Sequence, residues 1–306
     1  MSASRSLFMT TVHRYKSPHT PGACAYEVGL PDAKNAYVFI GGLGDGPHTV
    51  PYPRAVAKHL ETLPDLSYSV FEIRMKSSFD GWGFSSLVQD AEEISALVQY
   101  LRGIGRQKIV LNGHSTGCQD IMEYTSPSHS GQLTPVDGYI LQGPVCDRAA
   151  IALEISADKL EHSVAAAKAL IDSGRGLDCV PRDELPSFMR STPMSANRWY
   201  ALAAADGADN YFDPDLPEDT EKRYWSGVDK PVLILHSAED EFVPKSLDKE
   251  GLVKRWTTHC RPGLASELSG TIPGANHRVA SAEAEQWFVK AVATFLQGIA
   301  ALESKI

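Results

Sequence analysis

Apolar residues in this chain alternate between short runs and helical stripes. Asn35 to Ile40 (Asn-Ala-Tyr-Val-Phe-Ile) is a compact run that stops at glycines, the form of a strand buried on both faces. Leu66 to Arg74, with Tyr68, Val70, Phe71 and Ile73, predicts a second strand. Lys108 to Asn112, Val136 to Leu141 and Pro231 to His236 predict three more, and Leu264 to Ile272 a weaker one. Between them lie stripes at helical spacing. Tyr52 to Leu63 carries a proline near its start. Ser85 to Leu101 puts Leu87, Ala91, Ile94, Leu97, Val98 and Leu101 on one face, and Gly103-Ile104-Gly105 closes it. Cys118 to Tyr124, Leu247 to His259 and Ser281 to Leu302 complete the set. At the start, Ser6 to Tyr15 and Cys24 to Leu30 predict strands around a turn at Ser17 to Gly22.

Strands alternating with helices of a dozen residues imply βαβ units. The fold class expected is α/β, a mostly parallel central sheet flanked by helices, with the leading hairpin as an antiparallel edge. The rhythm breaks between Asp147 and Asp229. Ala149 to Gly174 is alanine-rich and helical, Asp183 to Arg190 and Ala196 to Ala205 suggest short helices, and Asp206 to Asp219 is an acidic, proline-bearing loop. Residues 147–229 are therefore expected to form a helical cap inserted into a core made of 1–146 and 230–306.

Composition narrows the function. The 306 residues carry a net charge of −9, with no basic stripe for nucleic acid and no polybasic patch for anionic lipid. Met1 to Lys16 holds no apolar signal core, and no run approaches the ~18 apolar residues of a membrane span. The five cysteines are odd in number and scattered, without zinc spacing. The expectation is a cytoplasmic protein with free thiols that acts on a small molecule, without metal or organic cofactor, nucleic acid or membrane. The sequence does not fix an oligomeric state.

The chemistry centres on Gly113-His114-Ser115-Thr116-Gly117, which follows the Lys108–Asn112 run and precedes a helix. G-x-S-x-G is short enough to arise by chance. In a strand–turn–helix setting it forms a nucleophile elbow, with glycines where side chains would meet the neighbouring strand and helix. A serine hydroxyl needs a base, and the base needs an acid to orient it. Two later loops supply them in the order serine, acid, histidine. Ser237 to Pro244 follows a buried strand and offers Asp240, in an Asp-x-x-Val-Pro run, with Glu239 as its competitor. Gly274-Ala275-Asn276-His277-Arg278 offers His277. His114 should point away from Ser115, and His236 should satisfy a local hydrogen bond. The oxyanion needs two donors. The Thr116 N–H is one, and the glycine loop Gly41 to Gly46 supplies the Leu43 N–H as the other. Trp82, in the loop after the Leu66–Arg74 strand, is a candidate substrate wall.

With these loops in order the chain resembles the α/β-hydrolase superfamily over nearly its whole length. Three further segments narrow the resemblance: Phe39 to Gly46, then Gly81-Trp82-Gly83 with Asp90-Ala91-Glu92-Glu93, then Gly113 to Asp120. They are similar to a fungal family that includes intracellular siderophore (fusarinine C) esterases. That resemblance implies hydrolysis of esters in hydroxamate siderophores built from acylated hydroxyornithine. Any iron would then arrive with the substrate. The residues themselves fit other acyl transfers equally well (thioesterase, acyltransferase or peptidase). They also leave open a non-catalytic binding protein on the same fold.

Overall fold

The computed structural model describes residues 7–303. Eight strands form one sheet: β1 (Thr11–Arg14), β2 (Cys24–Gly29), β3 (Asn35–Ile40), β4 (Tyr68–Arg74), β5 (Ile109–His114), β6 (Gly138–Gln142), β7 (Val232–Ser237) and β8 (Gly270–Ile272). Their order is β1-β2-β4-β3-β5-β6-β7-β8. β1 and β2 run antiparallel and the rest are parallel. Nine α-helices accompany them among the described residues: α1 (Tyr52–Glu61), α2 (Leu87–Gly103), α3 (Thr116–Tyr124), α4 (Asp147–Ala152), α5 (Ala157–Asp172), α6 (Ala196–Ala203), α7 (Glu218–Gly227), α8 (Lys249–His259) and α9 (Ala282–Glu303).

The parallel strands are apolar throughout because helices cover both faces. Val38, Leu111, Leu141 and Ile234 face a cluster shared with α2, α3, α7 and α8. Their neighbours Phe39, Val110, Ile140 and Leu235 face α1 and α9. The strand order reverses direction between β3 and β5, so the loops leaving their carboxyl ends open a crevice where α/β sheets place their ligands. Register brings five strand ends level. Ile40 sits beside Gly113, His114 beside Gln142, Gln142 beside Leu235, and Ser237 beside Ile272.

Several elements differ from the expected ones. The start of the first expected strand, Ser6, lies outside the described residues, and pairing covers only Thr11–Arg14. The Ala149–Gly174 helix is two, α4 and α5, broken at Leu153–Ser156. The Ser156 hydroxyl restarts it by accepting from the Lys159 N–H at 3.3 Å. Asp183 to Arg190 gives two single 3-10 turns separated by Pro186. α7 begins inside the Asp206–Asp219 stretch expected as loop and continues to Gly227, where no element was expected; its Trp225 stacks on Trp256 of α8 at 5.3 Å. Between β6 and β7, α4–α6 gather around a separate cluster with Trp199, Leu160 and Ile151 at its centre, while Tyr211, Phe212 and Trp225 pack into the body. No helix among the described residues is long and apolar enough to cross a membrane.

Candidate active site

The turn after β5 carries Ser115 with φ 54° and ψ −123°, a conformation unusual for a residue with a side chain. Its N–H donates to the Gln142 carbonyl at 3.0 Å, and its carbonyl accepts from the Cys118 N–H at 2.8 Å. The elbow glycines are sterically required. A Cβ at Gly117 would lie 2.4 Å from the Ile40 carbonyl oxygen, and one at Gly113 would lie 2.1 Å from that of Gly117. The sharp turn leaves Ser115 at the mouth of α3, where unpaired helix N–H groups collect.

The loop after β3 lies against the serine. A Cβ at Gly42 would come within 2.6 Å of the Ser115 Cβ, so only glycine permits this approach. Asp45 ties the loop down. Its carboxylate accepts from the Gly42 N–H at 3.2 Å and the Thr49 hydroxyl at 2.8 Å, and it pairs with Arg278 beside His277. Leu43 lines the same cavity as Ser115.

The structure brings Asp240 and His277 together. His277 Nδ1 donates to Asp240 Oδ2 at 2.8 Å, and Asp240 Oδ1 accepts from the Phe242 N–H at 3.0 Å. Glu239 stays exposed, while Glu241 accepts from the His277 N–H at 2.8 Å. Asp240 is only 5% exposed. Burial opposes its charge, yet the His277 hydrogen bond and charge and the Phe242 N–H hold its pKa below the usual carboxylate value. With Nδ1 committed to Asp240, Nε2 is the ring nitrogen left to serve Ser115.

Ser115, His277, His114, Leu43, Asp45, Arg278 and Asp147 line one cavity of about 120 Å³, closed by Val145, Ala150, Phe188, Met189 and Phe242. His114 does not point away from this site. It is buried, its ring lies 4.9 Å from that of His277, and its Nδ1 donates to Gln142 Oε1 at 2.6 Å. Burial and the neighbouring His277 lower its pKa to about 3, so His114 is a neutral wall and not a base. Gln142 also donates to the Ser237 hydroxyl at 3.1 Å and the His277 carbonyl at 3.2 Å. It thereby links the elbow, the acid loop and the histidine loop. His114 lies inside the elbow motif and Asp45 inside the glycine loop, but neither motif assigns them a role. Gln142 has no motif, and its only signal is a polar residue at the end of a buried strand.

Two other residues carried expectations. Trp82 is 4% exposed and packs with Trp199 in the α4–α6 cluster, behind Gly44, so it buttresses the loop and does not line the cavity. His236 meets the backbone of its neighbour Ser237, while its Nδ1 makes no hydrogen bond of good geometry. Among the described residues, no group of three or more histidine, cysteine, aspartate or glutamate side chains is arranged to hold a metal ion.

A parallel sheet with a strained serine after β5, and with acid and histidine loops after β7 and β8, defines the protein as an α/β hydrolase by fold. The siderophore hydrolase EstB from Aspergillus fumigatus superposes with a TM-score of 0.79 at 25% identity, over 97% of this chain and all of that one. The chain belongs to the family described as a protein of unknown function, DUF1749, whose model matches residues 1–297. It is 35% identical over 284 residues to the UPF0613 protein PB24D3.06c of Schizosaccharomyces pombe, covering 86% of this chain and 88% of the relative. It is 28% identical over 323 aligned positions to the fusarinine C esterase sidJ of Aspergillus fumigatus, covering 87% and 89%.

Proposed function

We propose that this protein is a serine esterase acting on carboxylic esters of hydroxamate siderophores. The observation that carries the reading is the 2.8 Å Asp240–His277 pair in the cavity lined by Ser115 at φ 54°. The names of the relatives, a fusarinine C esterase and a siderophore hydrolase, support the substrate class.

In the proposed reaction, Ser115 Oγ attacks the ester carbonyl carbon as its proton passes to His277 Nε2. The carbonyl π electrons move to oxygen, where the Leu43 and Thr116 N–H groups hold the oxyanion. The oxyanion then collapses, the carbon–oxygen bond to the alcohol breaks, and His277 returns its proton to the leaving oxygen. Water, deprotonated by His277, attacks the acyl-enzyme and releases the acid, restoring Ser115. Asp240 holds the His277 tautomer and stabilises the imidazolium. Residues 147–229 act as the cap that shapes the acyl and alcohol sites. Five free cysteines, one of them exposed, support a reducing cytoplasmic setting.

The test is a panel of esters that includes iron-loaded and iron-free hydroxamate siderophores, with wild type and Ser115→Ala. Turnover should fall by roughly 10³-fold or more in the variant, and a fluorophosphonate probe should label wild type alone. An alanine variant that hydrolyses esters near the wild-type rate would sink the mechanism. Hydrolysis confined to simple esters would remove the siderophore assignment.

A further inference from the structure

Beside the catalytic cavity lies a larger one of about 280 Å³. Its walls are mostly apolar, from Val145, Ala149, Phe212, Leu247 and Leu252. Val145 and Phe242 line both cavities, so the Phe242 ring partitions the two. Its polar lining is the exposed Asp215 and Ser246 and the buried His236. His236, near the end of β7, is only 1% exposed; its ring meets the Ser237 backbone, but Nδ1 makes no hydrogen bond of good geometry. An unpartnered buried ring nitrogen costs free energy unless a ligand or water satisfies it. Burial lowers the His236 pKa to about 4, which leaves the ring neutral and able to share a hydrogen bond with an uncharged group.

The side of the ester that belongs here follows from the reaction. The leaving oxygen must take its proton from His277, so the alcohol half of the ester lies on the histidine's side of the scissile bond. The acyl carbonyl oxygen lies on the other side, toward the Gly42–Leu43 loop. Phe242 packs edge-on against the His277 ring at 4.9 Å. The space behind Phe242 is therefore on the alcohol side. Its size is sufficient, since an apolar cavity of ~150 Å³ admits a benzene ring. The catalytic cavity, at about 120 Å³, holds little beyond the ester group itself.

We propose that the compartment behind Phe242 is the alcohol subsite. It takes an apolar group of about eight carbons whose far end carries one uncharged hydroxyl or amide to meet His236. This inference rests on the ester-hydrolase reading above.

The probes are acetate esters of ethanol, 2-phenylethanol and 2-(4-hydroxyphenyl)ethanol, with ethyl 3-phenylpropanoate placing the same ring on the acyl side. The ring on the alcohol should raise kcat/KM over ethyl acetate by at least about 10-fold, within the range that pocket complementarity supplies. The phenol should raise it further, and the acyl-side ring should not. Ala149→Phe and Ser246→Phe fill the compartment from opposite walls, and each should erase the alcohol preference. Ser246 is exposed, so that variant keeps the test open if Ala149→Phe does not fold. Equal rates across the alcohols would overturn the proposal. So would a preference for the acyl-side ring, or a preference that survives both fillings. Failure of Ser115-dependent hydrolysis for every ester would instead overturn the esterase reading and this subsite with it.

Discussion

Two buried sets of carboxylates lie close together in this protein and behave oppositely. At the corner beside His277, Asp240 is buried and its pKa is lowered. At the seam between α2–α3 and α4–α6, Asp90 on α2, Asp120 on α3, Asp147 at the start of α4 and Asp209 after α6 surround Arg198 of α6. All four are raised, chiefly by burial, with Asp90 and Asp147 pushed up to about 7. Burial penalises charge in both places. The difference is donors. Asp240 accepts from two N–H groups, one of them on a ring that becomes cationic during the proposed reaction. At the seam a single guanidinium serves four carboxyls and bonds directly to Asp209 alone, at 2.6 Å. Gln119 supports Asp147 at 2.7 Å, while one oxygen each of Asp90 and Asp120 has no partner. Burial is the largest influence in both places: at Asp240 the donors and the His277 charge outweigh it, whereas at Asp209 even the Arg198 bond does not.

The largest expected effect is at the corner. Asp240→Asn keeps the shape, removes the charge and offers His277 the wrong partner. Turnover in the ester assay should fall by about 10⁴-fold, as it does when a triad aspartate is neutralised in serine proteases. A loss of only two- or three-fold would mean that Asp240 does not govern His277.

At the seam the expected effect is on stability. Arg198→Met leaves Asp209 buried without its cation and should cost about 3–5 kcal/mol in denaturant unfolding. Arg198→Met combined with Asp209→Asn should recover part of that loss. If the single variant is as stable as wild type, the seam carboxyls are neutral without help from Arg198.

The smallest effect separates the two sets by pH. The folded-state pKa of Asp90 is about 7, above the ordinary carboxylate value near 4. Between those values the folded protein holds a proton that the unfolded chain has released. Stability from this group is therefore present at acid pH and is lost as pH rises toward about 7. Asp240 has the opposite sign, since its lowered pKa contributes stability that disappears as pH falls through the depressed value. Asp90→Asn should thus flatten the decline of melting temperature between pH 5 and pH 7.5. An unchanged slope would assign that decline to other groups.

The strand runs, and the loops that carry Ser115, Asp240 and His277, were legible in the sequence because each is fixed by local demands. Buried strands need unbroken apolar residues. A nucleophile elbow needs Gly113 and Gly117, and its partners must follow strand ends. α7 was not legible because Glu218 to Gly227 is largely charged and owes its helix to one tryptophan stacked on α8. The break between α4 and α5 had a local signal, Ser156 as a cap, hidden within an alanine-rich stretch. Gln142, His114 and Asp45 act through hydrogen bonds between loops distant in sequence, so their partners could not be read even where a motif, as at His114 and Asp45, marks the neighbourhood. The seam shows the limit most clearly. Asp209 reads as one charge in an acidic loop, and only the fold brings it to Arg198.

The Asp45–Arg278 pair joins residues 233 positions apart. It binds the serine's neighbouring loop to a segment that follows the last strand of the sheet. On the proposed chemistry, a ribosome-bound chain that has not yet delivered β8 holds the nucleophile but neither the base nor this clasp. Hydrolysis then begins only after β8 and the loop beyond it have been made, and the onset of activity reports that these two distant loops have met.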